Sequence, residues 1–233
     1  MGSQLKSGVN YLCRVDWKAW PNVKNSVITS EKKVMRLAAS KLLTALFLLL
    51  VSNLAISQIL TKEEIIPLLK NGGYVIFMRH AQAPAELPTT TTASPGNLNL
   101  ERQLDEKGRS DAVAFGEAIR WLEIPLGSIE SSPSYRTRQT ARLAGFNNVI
   151  IQEFLLQEVR EIPDPVLITL RAELELKSES GNRLLISHSG NISAIFPDLD
   201  PDISQGEAII IDPTLSIAAP LARILITEWQ NFE

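Results

Sequence analysis

From residue 61 onward the chain alternates two patterns. Short continuous apolar runs are followed by longer stretches in which apolar residues recur three or four apart. Runs of the first kind suit strands buried on both faces, and stretches of the second kind suit amphipathic helices. Thr61-Lys-Glu-Glu64 fits a capping box that opens a short helix, which Asn71-Gly72-Gly73 ends. Tyr74–Met78 predicts a strand. Residues 81–100, AQAPAELPTTTTASPGNLNL, predict a long loop of the kind that is usually functional or mobile. From Asp105 to Leu122, Val113, Phe115, Ile119 and Leu122 with several alanines predict a helix. A brief strand follows at Ser128–Glu130. Ser132-Pro133 then reads as the cap and first turn of a helix reaching about Ala144. Asn148–Gln152 predicts a strand and Pro165–Lys177 a helix. Leu184–Ser187 predicts a strand, with Ser189 able to cap the helix after it. Ala208–Ile211 and Ile224–Thr227 predict the last two strands. The alternation argues for an α/β fold: a three-layer sandwich with a mainly parallel central sheet and helices on both faces.

Composition and charge narrow this picture. The 233 residues are 45% hydrophobic and 21% charged, as in ordinary globular proteins. The net charge of −3 conceals an asymmetry: residues 1–57 carry eight Lys/Arg against two acidic residues, whereas residues 58–233 carry 15 against 24. A folded part of net charge −9 is of the wrong sign for a nucleic-acid binder. The basic leader has an anatomy of its own. After Met35 come Arg36 and Lys41, an apolar stretch of ten at Leu42–Val51, and the small-x-small sequence Ala55-Ile56-Ser57 before Gln58. This is the layout of a secretory signal peptide, with an uncleaved anchor over residues 37–57 as the alternative. The apolar stretch is short for a span, which needs about 20 residues. The expected organisation is therefore an extension over residues 1–34, a signal or anchor over 35–57, and one catalytic domain over 58–233. The extension is disordered, or lies upstream of a true start at Met35. The expected destination is the periplasm or beyond. Cys13, the only cysteine, precedes the signal, so the exported part has no thiol chemistry.

Candidate chemistry sits at the ends of three expected strands, where ligands bind in such sheets. The first gives Arg79-His80, the second SSPSYRTRQTA (131–141), and the third ISHSG (186–190). Both histidines of the chain fall at such ends. One histidine at a strand end is usually a bonded core residue; two of two in the same topological place point to chemistry. A neutral imidazole can attack phosphorus and hold a phosphoryl group covalently. The transferring group needs fixed cations, which Arg79 and Arg136 can supply with forked guanidinium groups. His188, if cationic, adds a donor, and backbone N–H groups near Ser189-Gly190 add more. Gln82 and Ser189 are further candidates for substrate binding.

Arg79-His80, LDEKGR (104–109), SSPSYRTRQTA and SHSG together resemble the histidine phosphatase superfamily, also called phosphoglycerate-mutase-like, of the branch 1 type. GEAIIIDP (206–213) and a final strand ending in Glu228-Trp229 resemble its C-terminal part. The resemblance implies a phosphomonoesterase with His80 as nucleophile, Arg79, Arg136 and His188 as phosphate pocket, a small phosphorylated substrate, and no metal or cofactor. It further implies a general acid in an L-x-E stretch: FLLQEVREI offers Glu158, with Glu153 and Glu161 as rivals. Two departures stand out. The family's usual Gly after Arg-His is Ala81 here, and the Trp-Asn pair of the mutase branch is missing. A phosphotransferase or mutase, and a non-catalytic phosphate-binding protein, are the alternative readings.

Overall fold

The computed structural model describes residues 59–156, 164–199, 203–215 and 220–231. The extension, the leader and Cys13 lie outside these residues, as do Glu158 and Glu161. The described residues belong to a compact unit spanning Ser57–Glu233. In chain order they form α1 (Lys62–Asn71), β1 (Val75–Arg79), α2 (Glu106–Trp121), β2 (Leu126–Ser131), α3 (Tyr135–Leu143), β3 (Ile150–Ile151), α4 (Asp164–Leu174), β4 (Asn182–Ser187), α5 (Ser189–Ile195), β5 (Ala208–Ile211) and β6 (Ala222–Ile224). Single 3-10 turns follow β3 and β6, at Glu153–Leu155 and Ile226–Asn231.

The six strands lie in the order β3-β2-β4-β1-β5-β6. The first four run parallel, while β5 is antiparallel to β1 and β6 antiparallel to β5. The period-2 alternation of β1 explains the layering. Ile76 and Met78 face one side, packed with Ile65, Leu69, Phe115 and Trp229 of α1, α2 and the C-terminal turn. Val75 and Phe77 face the other, packed with Leu170 and Leu174 of α4 and Ile192 and Ile195 of α5. All four β1 side chains are fully buried, as the continuous apolar run requires. The α/β sandwich is thus the expected one, with an antiparallel pair on one edge of the sheet.

Local signals explain most boundaries. The Glu64 carboxylate accepts from the Thr61 N–H at 2.9 Å and closes the start of α1. Gly72, at φ 76°, ends that helix against Gly181, where a Cβ would lie 2.8 Å from the Gly181 Cα. Asp105 caps α2 by accepting from the Gly108 N–H at 2.7 Å. Four expectations need correction. Val113 does not join the core face of α2; it is 39% exposed, because Ala112, Phe115 and Ile119 define the buried stripe. The N-cap position of α3 is Ser134 rather than Ser132, and that of α5 is His188 rather than Ser189; neither side chain makes a capping hydrogen bond. The last strand ends at Ile224, and Glu228-Trp229 lies in a 3-10 turn. That turn buries Trp229 edge-on against Phe115, at 5.4 Å between ring centroids. Burial of the indole outweighs the β propensity of the Ile-rich stretch.

Candidate active site

Arg79 is the last residue of β1, and His188 and Ser132 directly follow β4 and β2. Parallel register brings these ends together: the His80 N–H donates to the Ser187 carbonyl at 3.0 Å, and the Ser132 N–H to Ile186 at 3.0 Å. Because β5 is antiparallel, its beginning lies at the same end. The Gly206 N–H donates to the His80 carbonyl at 2.9 Å, and an Arg79 guanidinium nitrogen donates to the Ile203 carbonyl.

Hydrogen bonding defines both histidine tautomers. His80 Nδ1 lies 2.8 Å from the Ala81 carbonyl, an acceptor, so Nδ1 carries the proton. Its Nε2 lies 3.1 Å from Arg136 Nε, which can only donate, so Nε2 presents a lone pair. Arg136 reaches the second ring as well, with Nη2 3.0 Å from His188 Nδ1. His188 Nε2 therefore holds the proton and donates to Ser132 Oγ at 2.9 Å. Each ring is only 3% exposed, and their centroids are 5.5 Å apart. Burial first, then the charges of Arg136, Arg79 and Arg102, keep both imidazoles neutral, lowering His80 to about 3 and His188 to about 2. A backbone bond from Ala81 opposes this at His80 only in part. His188 is thus a neutral acceptor for Arg136, and the donor role that a cationic ring would give it is not the one this arrangement favours. Arg136 is itself lowered to about 10 by burial and by Arg102, and stays cationic at neutral pH.

Helix α3 presents Arg136 because both ends of its first turn are held. The Tyr135 N–H donates to Glu101 Oε2 at 2.8 Å. One turn on, Thr140 Oγ1 donates to the Arg136 carbonyl at 2.8 Å and accepts from the Ala81 N–H at 3.1 Å. This small side chain couples α3 to the exit of β1. Ser132, Ser134 and Thr137 form a buried hydroxyl cluster behind His188. The 81–104 loop is bonded to itself. Asn97, 4% exposed, donates to the Glu101 carbonyl at 2.8 Å and accepts from the Glu101 N–H at 2.9 Å.

Residues 75–162 match the family model described as histidine phosphatase superfamily (branch 1). Over that span the chain resembles the superfamily. The matched span includes Arg79, His80 and Arg136. Among solved structures, the chain is similar to the protein histidine phosphatase SixA complexed with tungstate, at 16% identity and a TM-score of 0.47, covering 66% of this chain and 98% of the other. It is similar to a Thermus thermophilus protein at 19% identity and a TM-score of 0.44, covering 65% and 99%. It is also similar to a mycobacterial glucosyl-3-phosphoglycerate phosphatase complexed with vanadate, at 16% and 0.42, covering 66% and 97%. No curated protein matches the sequence.

Of the residues expected at the site, Arg79, His80, Arg136 and His188 come together. Gln82 and Ser189 are nearby in the chain, with different surroundings. Gln82 Nε2 donates to Asp105 Oδ2 at 2.8 Å and ties the exit of β1 to the cap of α2. Ser189 is the half-buried first residue of α5. Glu153 is exposed in its 3-10 turn, and Glu158 and Glu161 lie outside the described residues. Among the described residues, no group of three or more His, Cys, Asp or Glu is placed to hold a metal ion, and no helix is long and apolar enough to cross a membrane.

Sequence reasoning missed three residues. Ser132 looked like a cap but is the acceptor for His188. Glu101 holds the start of α3 and is the carboxylate whose charge acts on Arg136. Arg102 adds a cation whose charge acts on both histidines and on Arg136. The signal for the last two was the Glu-Arg pair directly before Gln103-Leu104, at the end of a loop whose other charged residue is Glu86.

Proposed function

We propose that this chain is a phosphomonoesterase working through a phosphohistidine on His80. The carrying observation is the bare Nε2 of His80, fixed in tautomer by Ala81 and facing the guanidinium of Arg136. A phosphoryl group entering between them takes over the Arg136 donor and meets the Nε2 lone pair. Attack forms the Nε2–P bond and breaks the ester P–O bond, with Arg79 and Arg136 neutralising charge on the equatorial oxygens. The dianion also brings negative charge to two neutral imidazoles, so His188 can acquire a proton and become a further donor. Glu158 is proposed as the acid that protonates the leaving oxygen and then takes a proton from the water that releases phosphate. No metal takes part in this scheme.

Hydrolysis of an aryl phosphate, compared with His80→Ala, tests the reading. Wild-type turnover is expected, with essentially complete loss in the variant. Rapid quench with labelled substrate should trap a phospho-protein that is stable in base and labile in acid. Equal rates for the two proteins would overturn the proposal. Transfer to a sugar or glycerate acceptor exceeding transfer to water would favour a phosphotransferase instead.

Residues 35–57 are proposed to direct export. Fractionation of the full chain, with sequencing of its N-terminus, should find a periplasmic or secreted product starting at Gln58.

A further inference from the structure

We propose that Arg102 selects phosphomonoesters that carry a second negative group beside the ester, and this rests on the phosphatase reading above. The argument begins with how Arg102 is held. Its Nε donates to the Pro84 carbonyl at 2.8 Å and its Nη2 to the Ala83 carbonyl at 2.7 Å. Those two donors form the side edge of the planar guanidinium. Nη1, on the end-on edge, makes no hydrogen bond among the described residues and is left for a ligand. The side chain is half-buried, so the group is both anchored and reachable.

Its anchor is part of the site. Ala83 lies three residues beyond His80 and is 1% exposed. The same carbonyl accepts from Gln205 Nε2 at 3.1 Å, and Gln205 Oε1 accepts from the Ala83 N–H at 3.0 Å. Gln205 in turn precedes Gly206, which holds the His80 carbonyl. Arg102 is thus fixed to the backbone frame that aims the nucleophile. No carboxylate of the described residues forms an ion pair with it. The electrostatics agree, since its charge depresses His80, His188 and Arg136 together. Arg79 and Arg136 suffice for one phosphoryl group, and a third uncompensated cation beside them suits a second anion. A carboxylate or second phosphate one or two bonds from the ester oxygen has the required chemistry.

The test compares two esters with matched leaving groups, ethyl phosphate and carboxymethyl phosphate, on wild type and Arg102→Gln. The loss of kcat/KM in the variant should be about tenfold to a hundredfold larger for the carboxylate ester, the worth of one charge-assisted fork. Equal losses on both esters would overturn the assignment. Arg102→Lys should recover part of the preference, because it keeps the charge without the fork. Gln205→Ala, which loosens the same carbonyl without removing charge, should reduce both esters alike; a preferential loss there would assign selectivity to loop geometry instead. Binding of the non-hydrolysable pair ethylphosphonate and phosphonoacetate, read by calorimetry, separates this proposal from turnover. Wild type should favour phosphonoacetate and Arg102→Gln should not, whether or not either ester is hydrolysed. No turnover with this binding difference intact would refute the phosphatase reading alone.

Discussion

Two buried neutral histidines make the fold sensitive to acid well above the range of its carboxylates. In the unfolded chain a histidine titrates near 6.5; in the fold His80 is lowered to about 3 and His188 to about 2, chiefly by burial. Between these values the unfolded chain binds a proton at each ring and the folded chain does not. Stability therefore rises with pH over this window and is lost as pH falls, by about 1.4 kcal/mol per unit for each ring. From pH 7 to pH 5 this amounts to about 2 kcal/mol per histidine, or about 4 kcal/mol for the pair. That is a large share of a stability of about 5–15 kcal/mol. Urea unfolding at pH 7 and pH 5 should show this loss in wild type. The double variant His80→Gln, His188→Gln keeps acceptors for Arg136 but cannot titrate, and should retain only the loss due to other groups. Identical pH dependence in the two proteins would refute the neutral-imidazole account. Saturating phosphate should flatten the wild-type dependence, because a bound dianion raises both rings toward their ordinary values.

Other expectations follow from particular contacts. Ser132→Ala removes the acceptor for His188 Nε2 and should lower kcat about five- to tenfold with KM little changed; Ser132→Thr should restore the rate in the same steady-state assay. Arg136→Lys cannot bridge both rings and should reduce single-turnover phosphorylation by about a hundredfold to a thousandfold. Gly116→Ala should destabilise by about 2–3 kcal/mol in urea, although alanine is the better helix former. Its Cβ would lie 1.9 Å from the Ala144 carbonyl oxygen, which belongs to backbone. Val113→Lys, on the exposed face of the same helix, should change the unfolding midpoint by no more than about 0.5 kcal/mol.

The sheet was legible because its inner strands leave no room for polar residues. Val75–Met78 and Leu184–Ile186 are buried on both faces, so their runs are unbroken. The edges were harder to read. Ile150 and Ile151 are paired on one side only and are 51% and 45% exposed, and the expected five-residue strand shrinks to two. The antiparallel course of β5 was not legible, since its apolar run reads the same in either direction. The histidine pair and Arg79 stood out because such polar residues at the end of a core strand are rare. Arg102 and Ser132 did not, because their roles come from partners far along the chain: His188 lies 56 residues beyond Ser132. Asn148–Gln152 and Ser132-Pro133 show the general limit: local propensity suggested a five-residue strand and a cap at Ser132, and tertiary partners decided otherwise.

The reversed direction of β5 also has a consequence for biosynthesis. Arg79 is held by the carbonyl of Ile203, 124 residues later, and Ala83 by Gln205, 122 residues later. Strands β1, β2 and β4 can align as they leave the ribosome, but the pocket stays unfinished until β5 swings back beside β1. Contacts that distant close slowly. The backbone frame around His80 is therefore complete only once β5 has been made and has paired with β1.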